Sequence, residues 1–262
     1  MSPDLTNARP RPALLGISLK LYFGHLQTLD WCRQVAELAT THPAIQRGAV
    51  SLFIMPSFPS LAHVEGIFEG TPVKTGAQDL HWDDWGAYTG EVSGTSLREV
   101  GCTYVEVGHA ERRRLFGETD EVIRAKTQAA FRNGLVPVIC VGETEEGPAD
   151  TAAEACVEQL AAALADSEPG EGSIVVAYEP VWAIGAEAPA NAGHILPVTR
   201  RLRQWLASDG RYPQGSVIYG GSAGPGLLTR LAEGVDGLFL GRFAHEVKAL
   251  TAVIDEAAEA FV

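Results

Sequence analysis

"SIVVAYEPVWAIGAEAPA" occupies residues 173–190, and its reading decides the fold. An apolar run of strand type ends in a single carboxylate, Glu179, and passes into a Pro/Trp/Gly/Ala segment. A strand needs no acid at its tip, and a loop that had only to turn needs no Trp182. Around this stretch lie further short apolar runs: ALLGISL, AVSLFIM, VKTGA, TYVEVG, LVPVICVG, SVIYGG and VDGLFLG. Between them come longer stretches with helical spacing: Leu29–Ala39, Glu121–Arg132, Ala152–Leu164, Val198–Ala207 and Glu246–Ala260. The strands are near-continuous hydrophobes, the pattern of strands covered on both faces. Strand–helix alternation sustained to the end predicts a parallel α/β sheet. About eight such units at this length favour a closed (β/α)8 barrel over an open sheet. No Gly-x-Gly-x-x-Gly follows the first strand, so a dinucleotide-binding fold has little support.

The chain has 262 residues, of which 46% are hydrophobic, enough for one sizeable core. A single barrel domain over residues 13–262 is expected, after a loosely held, proline-rich tail at 1–12. A formal net charge of −13 argues against nucleic acid or an anionic membrane as partner. An anion must therefore be bound by local donors. Cys32, Cys102, Cys140 and Cys156 show no paired spacing, so neither a disulfide framework nor a zinc site is expected. The N-terminus has no signal-peptide pattern and no apolar run is of membrane-spanning length, so a soluble cytoplasmic protein is expected.

In such barrels chemistry sits at the carboxyl ends of the strands. The first strand ends in Ser18 and Lys20, the fourth in Gly108, His109 and Glu111, the sixth in Glu179. The seventh and eighth end in Gly220-Gly221-Ser222 and Gly241. Each has an ordinary reading: a solvated rim lysine, a satisfied core histidine, a plain glycine turn. The run Glu111–Arg114 reads as a salt-bridged structural turn. Jointly, an ammonium, an imidazole and a carboxylate on three strand tips, with glycine turns on the last two, match a site for a phosphorylated substrate. Backbone N–H groups in those last loops point at the anion, and glycine lets the backbone approach.

"GHAERRRLFGETDE" (108–121), "PVICVGET" (137–144), "AYEPVWAIG" (177–185), "YGGS" (219–222) and "GAYTGEVS" (86–93) together resemble triosephosphate isomerase. The resemblance runs from about Gly16 to the C-terminus and implies a TIM barrel that isomerises sugar phosphates through an enediolate. This family is the usual worked illustration of a glutamate base beside a neutral histidine, so the roles are carried over from it. Glu179 would be the base, aimed from the strand tip by the extended geometry that Pro180 imposes. His109 would polarise the carbonyl and shuttle protons, Lys20 would stabilise the oxyanion, and Glu111 would position Lys20 or relay a proton. Residues 180 to about 190 would form a lid with Trp182 as hinge anchor, closing to expel water. Gly185, Ser222 and Gly241 would offer amides to the phosphate. The resemblance implies no cofactor, no metal, and a homodimer, with a monomer left open because Tyr22 replaces an interface residue.

The departures have their own direction. Where the family carries Asn-Trp-Lys-Met-Asn, this chain has Ser18-Leu19-Lys20-Leu21-Tyr22. The usual lid tip, Gly-Thr-Gly-Lys, is Gly185-Ala186-Glu187-Ala188 here, and Ala110 replaces the serine after the histidine. Arg242 replaces a glycine and either pairs with the phosphate or fills the mouth and salt-bridges to an acid. Ser18, the Pro/Ala-rich lid, "HWDDWGAYTGE" (81–91) and Gly241-Arg242 look like a side branch that isomerises four-carbon erythrulose phosphates. The default expectation is the dihydroxyacetone phosphate/glyceraldehyde 3-phosphate pair of glycolysis and gluconeogenesis. The alternatives are L-erythrulose 1-phosphate with the same chemistry, and a poorly catalytic paralogue that binds a phosphorylated metabolite.

Overall fold

The structure, a computed structural model, describes residues 12–168, 172–212 and 214–261. Eight strands form one closed barrel in sequence order: β1 Ala13–Ser18, β2 Val50–Met55, β3 Lys74–Ala77, β4 Tyr104–Val107, β5 Val136–Val141, β6 Val175–Tyr178, β7 Ser216–Tyr219 and β8 Gly237–Leu240. Every neighbouring pair is parallel, and β1 closes on β8 with Leu15 opposite Leu238. The outer ring comprises α1 His25–Thr41, α2 Pro43–Gln46, α3 Leu61–Phe68, α4 Gly94–Val100, α5 Ala110–Phe116, α6 Asp120–Arg132, α7 Ala149–Ala163, α8 Ala192–Asp209, α9 Leu228–Leu231 and α10 Val247–Ala260. The expected tail lies outside the described residues apart from Pro12. Among the described residues, no helix is long and apolar enough to cross a membrane.

The apolar runs form the barrel because both faces of each strand are buried. Outward side chains such as Leu15, Leu52, Val105 and Val176 pack under the helices. Inward ones, including Phe53, Val138, Val175, Ile218 and Phe239, form a separate inner cluster. Its lower part is an aromatic plug. Phe53 stacks on Tyr104 at 4.4 Å between centroids and on Phe239 at 6.0 Å. Gly16 makes room for it: a Cβ there would meet Phe53 Cζ at 2.2 Å and Phe239 Cδ2 at 2.8 Å.

Two expectations change. The run Glu111–Arg114 is not a turn but part of α5, entered through the His109 cap and closed by Gly117 in the left-handed region. Its ion pairs are as expected: Arg112 binds Asp79 and Glu118, and Lys126 binds the same two acids at 2.6 and 2.5 Å. The helix expected from Val198 begins at Ala192, before Pro197, because the Asn191 side chain caps it by accepting the His194 N–H. All four cysteines are free and buried.

Candidate active site

The site is built on strand tips. Gly220, just past β7, has no side chain because Glu179 occupies the space: a Cβ would meet Glu179 Cγ at 2.5 Å. The Glu179 carboxyl is buried, with Oε2 3.7 Å from His109 Nε2 and Oε1 without a hydrogen-bond partner among the described residues. Gly108, at φ +76°, turns the chain off β4 and delivers His109 to cap α5. There Nδ1 accepts the Glu111 N–H at 3.1 Å. An acceptor at Nδ1 leaves Nε2 to carry the proton of a neutral ring, a tautomer assigned from this partner. Lys20 Nζ lies 3.3 Å from Nε2 and donates to Glu111 Oε1 at 2.8 Å. The Lys20–Nε2 contact joins two protonated nitrogens, and a substrate oxygen placed between them would accept from both.

Lys20 is held in the left-handed region at φ +46°. Its carbonyl accepts from Gln78 Nε2 at 3.0 Å, and the same side chain donates to the Met55 carbonyl. Burial works against the Lys20 charge, but the Glu111 hydrogen bond and the Glu179, Glu111 and Glu106 charges outweigh it and raise its pKa. His109 and Glu179 are more tightly coupled. Burial disfavours charge on each. As an ion pair they would shift apart, His109 up to about 9 and Glu179 below its usual range. The backbone N–H at Nδ1 opposes that pairing, since an imidazolium has no lone pair to accept it. With the ring neutral, the His109 charge no longer offsets the burial of Glu179, while the Lys20 charge and the Cys140 thiol still work to lower its pKa.

Residues 180–190, the segment expected to form a lid, are tied down along their length. The Trp182 indole donates to Glu143 Oε1 at 2.8 Å, and the same carboxylate accepts from Tyr178 and contacts His194 Nε2 at 2.9 Å. Ser222, at φ +55°, donates its hydroxyl to the carbonyls of Ala186 and Ala183. The Ala190 N–H donates to the Tyr219 hydroxyl at 3.2 Å. Arg242 donates to the Gly185 carbonyl at 3.4 Å and, among the described residues, forms no ion pair, so it braces the lid and the expected acid partner is not there. Glu187 is exposed.

A cavity of about 710 Å³ collects Ser18, Lys20, His109, Glu111, Glu179, Gly185, Ser222, Gly241 and Arg242, the nine residues expected from the sequence to act on or bind the substrate; Gly108, Gly220 and Trp182 do not line it. Among the described residues, the amides of Gly185, Ser222 and Gly241 are used by no backbone hydrogen bond. Gln78, Glu143 and Glu106 were not anticipated as parts of the site. The signal for Glu106 was present: it is an acid inside a strand buried on both faces.

A closed parallel eight-stranded barrel with this set of groups at its carboxyl end defines a class, the enolising sugar-phosphate isomerases. The family model for triosephosphate isomerase matches residues 13–257, and the chain belongs to that family. It is 55% identical over 249 residues to an L-erythrulose-1-phosphate isomerase of Pectobacterium atrosepticum, covering 94% of this chain and 96% of that protein. A protein of the same name from Rhizobium etli is 40% identical, with 89% and 88% covered. The triosephosphate isomerase of Moorella thermoacetica is 38% identical, with 81% and 88% covered. The crystal structure of triosephosphate isomerase from Bartonella henselae superposes with a TM-score of 0.80 at 30% identity, covering 95% of this chain and 99% of that one.

Proposed function

We propose that this isomerase acts on L-erythrulose 1-phosphate, so the order of the two sequence-based expectations is reversed. The four-carbon reading is supported by the 55% identity to a protein of that name, against 38% to a triosephosphate isomerase. The chemistry rests on one observation: Nε2 of His109 stands 3.3 Å from the Lys20 ammonium and 3.7 Å from the Glu179 carboxylate.

Glu179 Oε1 takes the proton from C3, the carbon bearing a hydroxyl next to the carbonyl. The electron pair forms the C2–C3 double bond, and the carbonyl oxygen takes a proton from His109 Nε2. Lys20 stabilises the negative charge of the enediolate, held in place by Glu111. His109 recovers its proton from the oxygen on C3, and Glu179 returns its proton to C2. The carbonyl has then moved to C3, and the product is the 4-phosphate of erythrulose when its carbons are renumbered. The triose reaction is the same step with hydrogen in place of the hydroxymethyl group. The amides of Gly185, Ser222 and Gly241 and the Arg242 guanidinium take the phosphate, and the lid excludes water.

Apolar side chains left in the open, Leu21 at 89% and Trp85 at 75%, support a pair of chains as the working assembly. The reading puts the enzyme in the cytoplasm, in keeping with four free thiols. The test is kcat/KM on L-erythrulose 1-phosphate and on dihydroxyacetone phosphate. A preference of about tenfold or more for the tetrose is expected, of the size a pocket gains from one carbon group. A preference for the triose overturns the substrate, and enzyme-like turnover of neither overturns the catalysis and leaves a metabolite-binding paralogue.

A further inference from the structure

β4 runs Tyr104-Val105-Glu106-Val107, and alternation along a strand turns Tyr104 and Glu106 to the same side. Tyr104 belongs to the aromatic plug, so Glu106 stands one level above it, inside the barrel and beneath the His109 ring. It is 4% exposed. Its Oε2 accepts from Ser18 Oγ at 3.3 Å, and its Oε1 lies 3.9 Å from Cys140 Sγ and 4.0 Å from His109 Nε2. No Lys or Arg lies within salt-bridge distance of it among the described residues, and burial pushes its carboxyl up to about 7. An aliphatic side chain would fill this space at less cost to the fold. The barrel carries an acid here all the same, behind the one cavity-lining serine on β1.

The position of that serine gives the acid a use. A substrate oxygen within hydrogen-bond reach of His109 Nε2, and a carbon within reach of Glu179, fix where the reacting carbons sit. A carboxylate oxygen of Glu106, the Cys140 sulfur and a carboxylate oxygen of Glu179 lie within 4.8 Å of one another, so this floor is directly under those carbons. In the proposed function the phosphate goes the other way, toward the loop amides of Gly185, Ser222 and Gly241 and away from the acid. Any group carried by the carbon farther from the phosphate therefore points at the floor. In a triose that group is hydrogen. In the tetrose it is a hydroxymethyl.

We propose that Glu106, acting through Ser18, selects the four-carbon substrate. Ser18 Oγ keeps its proton and donates it in the hydrogen bond to Glu106, which leaves its lone pairs facing the cavity to accept the hydroxyl of the substrate's terminal CH2OH. Without Glu106 the serine hydroxyl is free to rotate and offers no fixed acceptor. Ser18 touches the substrate and Glu106 is a positioning residue. This assignment rests on the tetrose reading above.

The experiment measures kcat/KM on L-erythrulose 1-phosphate and dihydroxyacetone phosphate for the wild type, Glu106→Leu, Glu106→Gln and Ser18→Ala. The tetrose-to-triose ratio is expected to fall about 30-fold or more in Glu106→Leu and Ser18→Ala, the loss seen when a site built for a hydroxyl loses its partner. Glu106→Gln, whose amide oxygen can still accept from Ser18, is expected to keep most of the ratio. If the wild type prefers the tetrose but both substrates fall in step in the variants, Glu106 serves only the fold or the His109 ring and the assignment is overturned. Should Glu106→Leu not fold, an unchanged ratio in Ser18→Ala overturns it by itself. A wild type that prefers the triose is a separate result, which removes the substrate reading and this assignment with it.

Discussion

Two levels of the barrel interior sit one step apart on the same strands and obey opposite rules. Moving up by two residues, β1 goes from Gly16 to Ser18, β4 from Tyr104 to Glu106 and β5 from Val138 to Cys140, while the chain leaving β6 goes from Ala177 to Glu179. The lower level is filled by the Phe53, Tyr104 and Phe239 rings, with Gly16 where the Phe53 and Phe239 rings need the volume. The upper level holds two buried carboxyls, one of them with an oxygen that no described group satisfies. A core built only for stability would continue the lower pattern to the top. Stability is thus concentrated below and reactivity above, within a few ångströms of strand rise.

Breaking the upper level has the largest effect. Glu179→Gln keeps the shape and removes the proposed base, and steady-state kinetics should show kcat lowered about 1,000-fold or more. Thermal unfolding of the same variant should be unchanged or slightly improved, because a buried charge is gone. Loss of the fold instead would mean that the two levels do not divide the labour as described. Next comes the lower level: Phe53→Ala should cost about 3–5 kcal/mol in chemical denaturation, the penalty for emptying a packed aromatic site. A much smaller cost would show that the plug is loosely packed.

The smallest effect sharpens the contrast through pH. The Glu106 carboxyl is raised by burial to about 7 in the folded chain, with Glu179 acting the same way and Lys20 opposing it, while a neutral His109 ring adds no opposing charge. In the unfolded chain it titrates near the ordinary 4.5. Below that value both states hold the proton and nothing is lost. Between the two values only the folded state retains it, so stability falls as pH rises, and the loss is complete once the folded group has ionised. Denaturant midpoints of the wild type should therefore decline relative to Glu106→Gln between about pH 4.5 and 7, and run parallel outside that window. Parallel curves throughout would mean the carboxyl is better solvated than its burial implies.

Much of this was legible in the sequence, for a physical reason. Parallel strands covered on both faces leave unbroken apolar runs, and all eight appear. Lys20, His109 and Glu179 stand at the ends of those runs, where a strand itself needs no polar side chain. Short helices such as α4 and α5 are set by caps at Ser93 and His109 and by the ion pairs of Arg112, and their few residues are too short to show a period. Glu106 is hard to recognise from sequence because an acid between two valines looks like ordinary alternation with a wet face. In a closed barrel no face is wet, and the acid was the anomaly. Arg242 offered two readings from sequence, and neither foresaw the lid carbonyl as its partner.

The backbone of Lys20 has a consequence for how this protein could change. Its φ of +46° suits glycine far better than a residue with a β-carbon, and Gln78 keeps the bend in place whatever side chain it carries. Glycine at that spot would relax the bend and discard the ammonium in one substitution. Selection for endurance alone would drift toward it, so in the proposed mechanism it is the demand for turnover that keeps the lysine there.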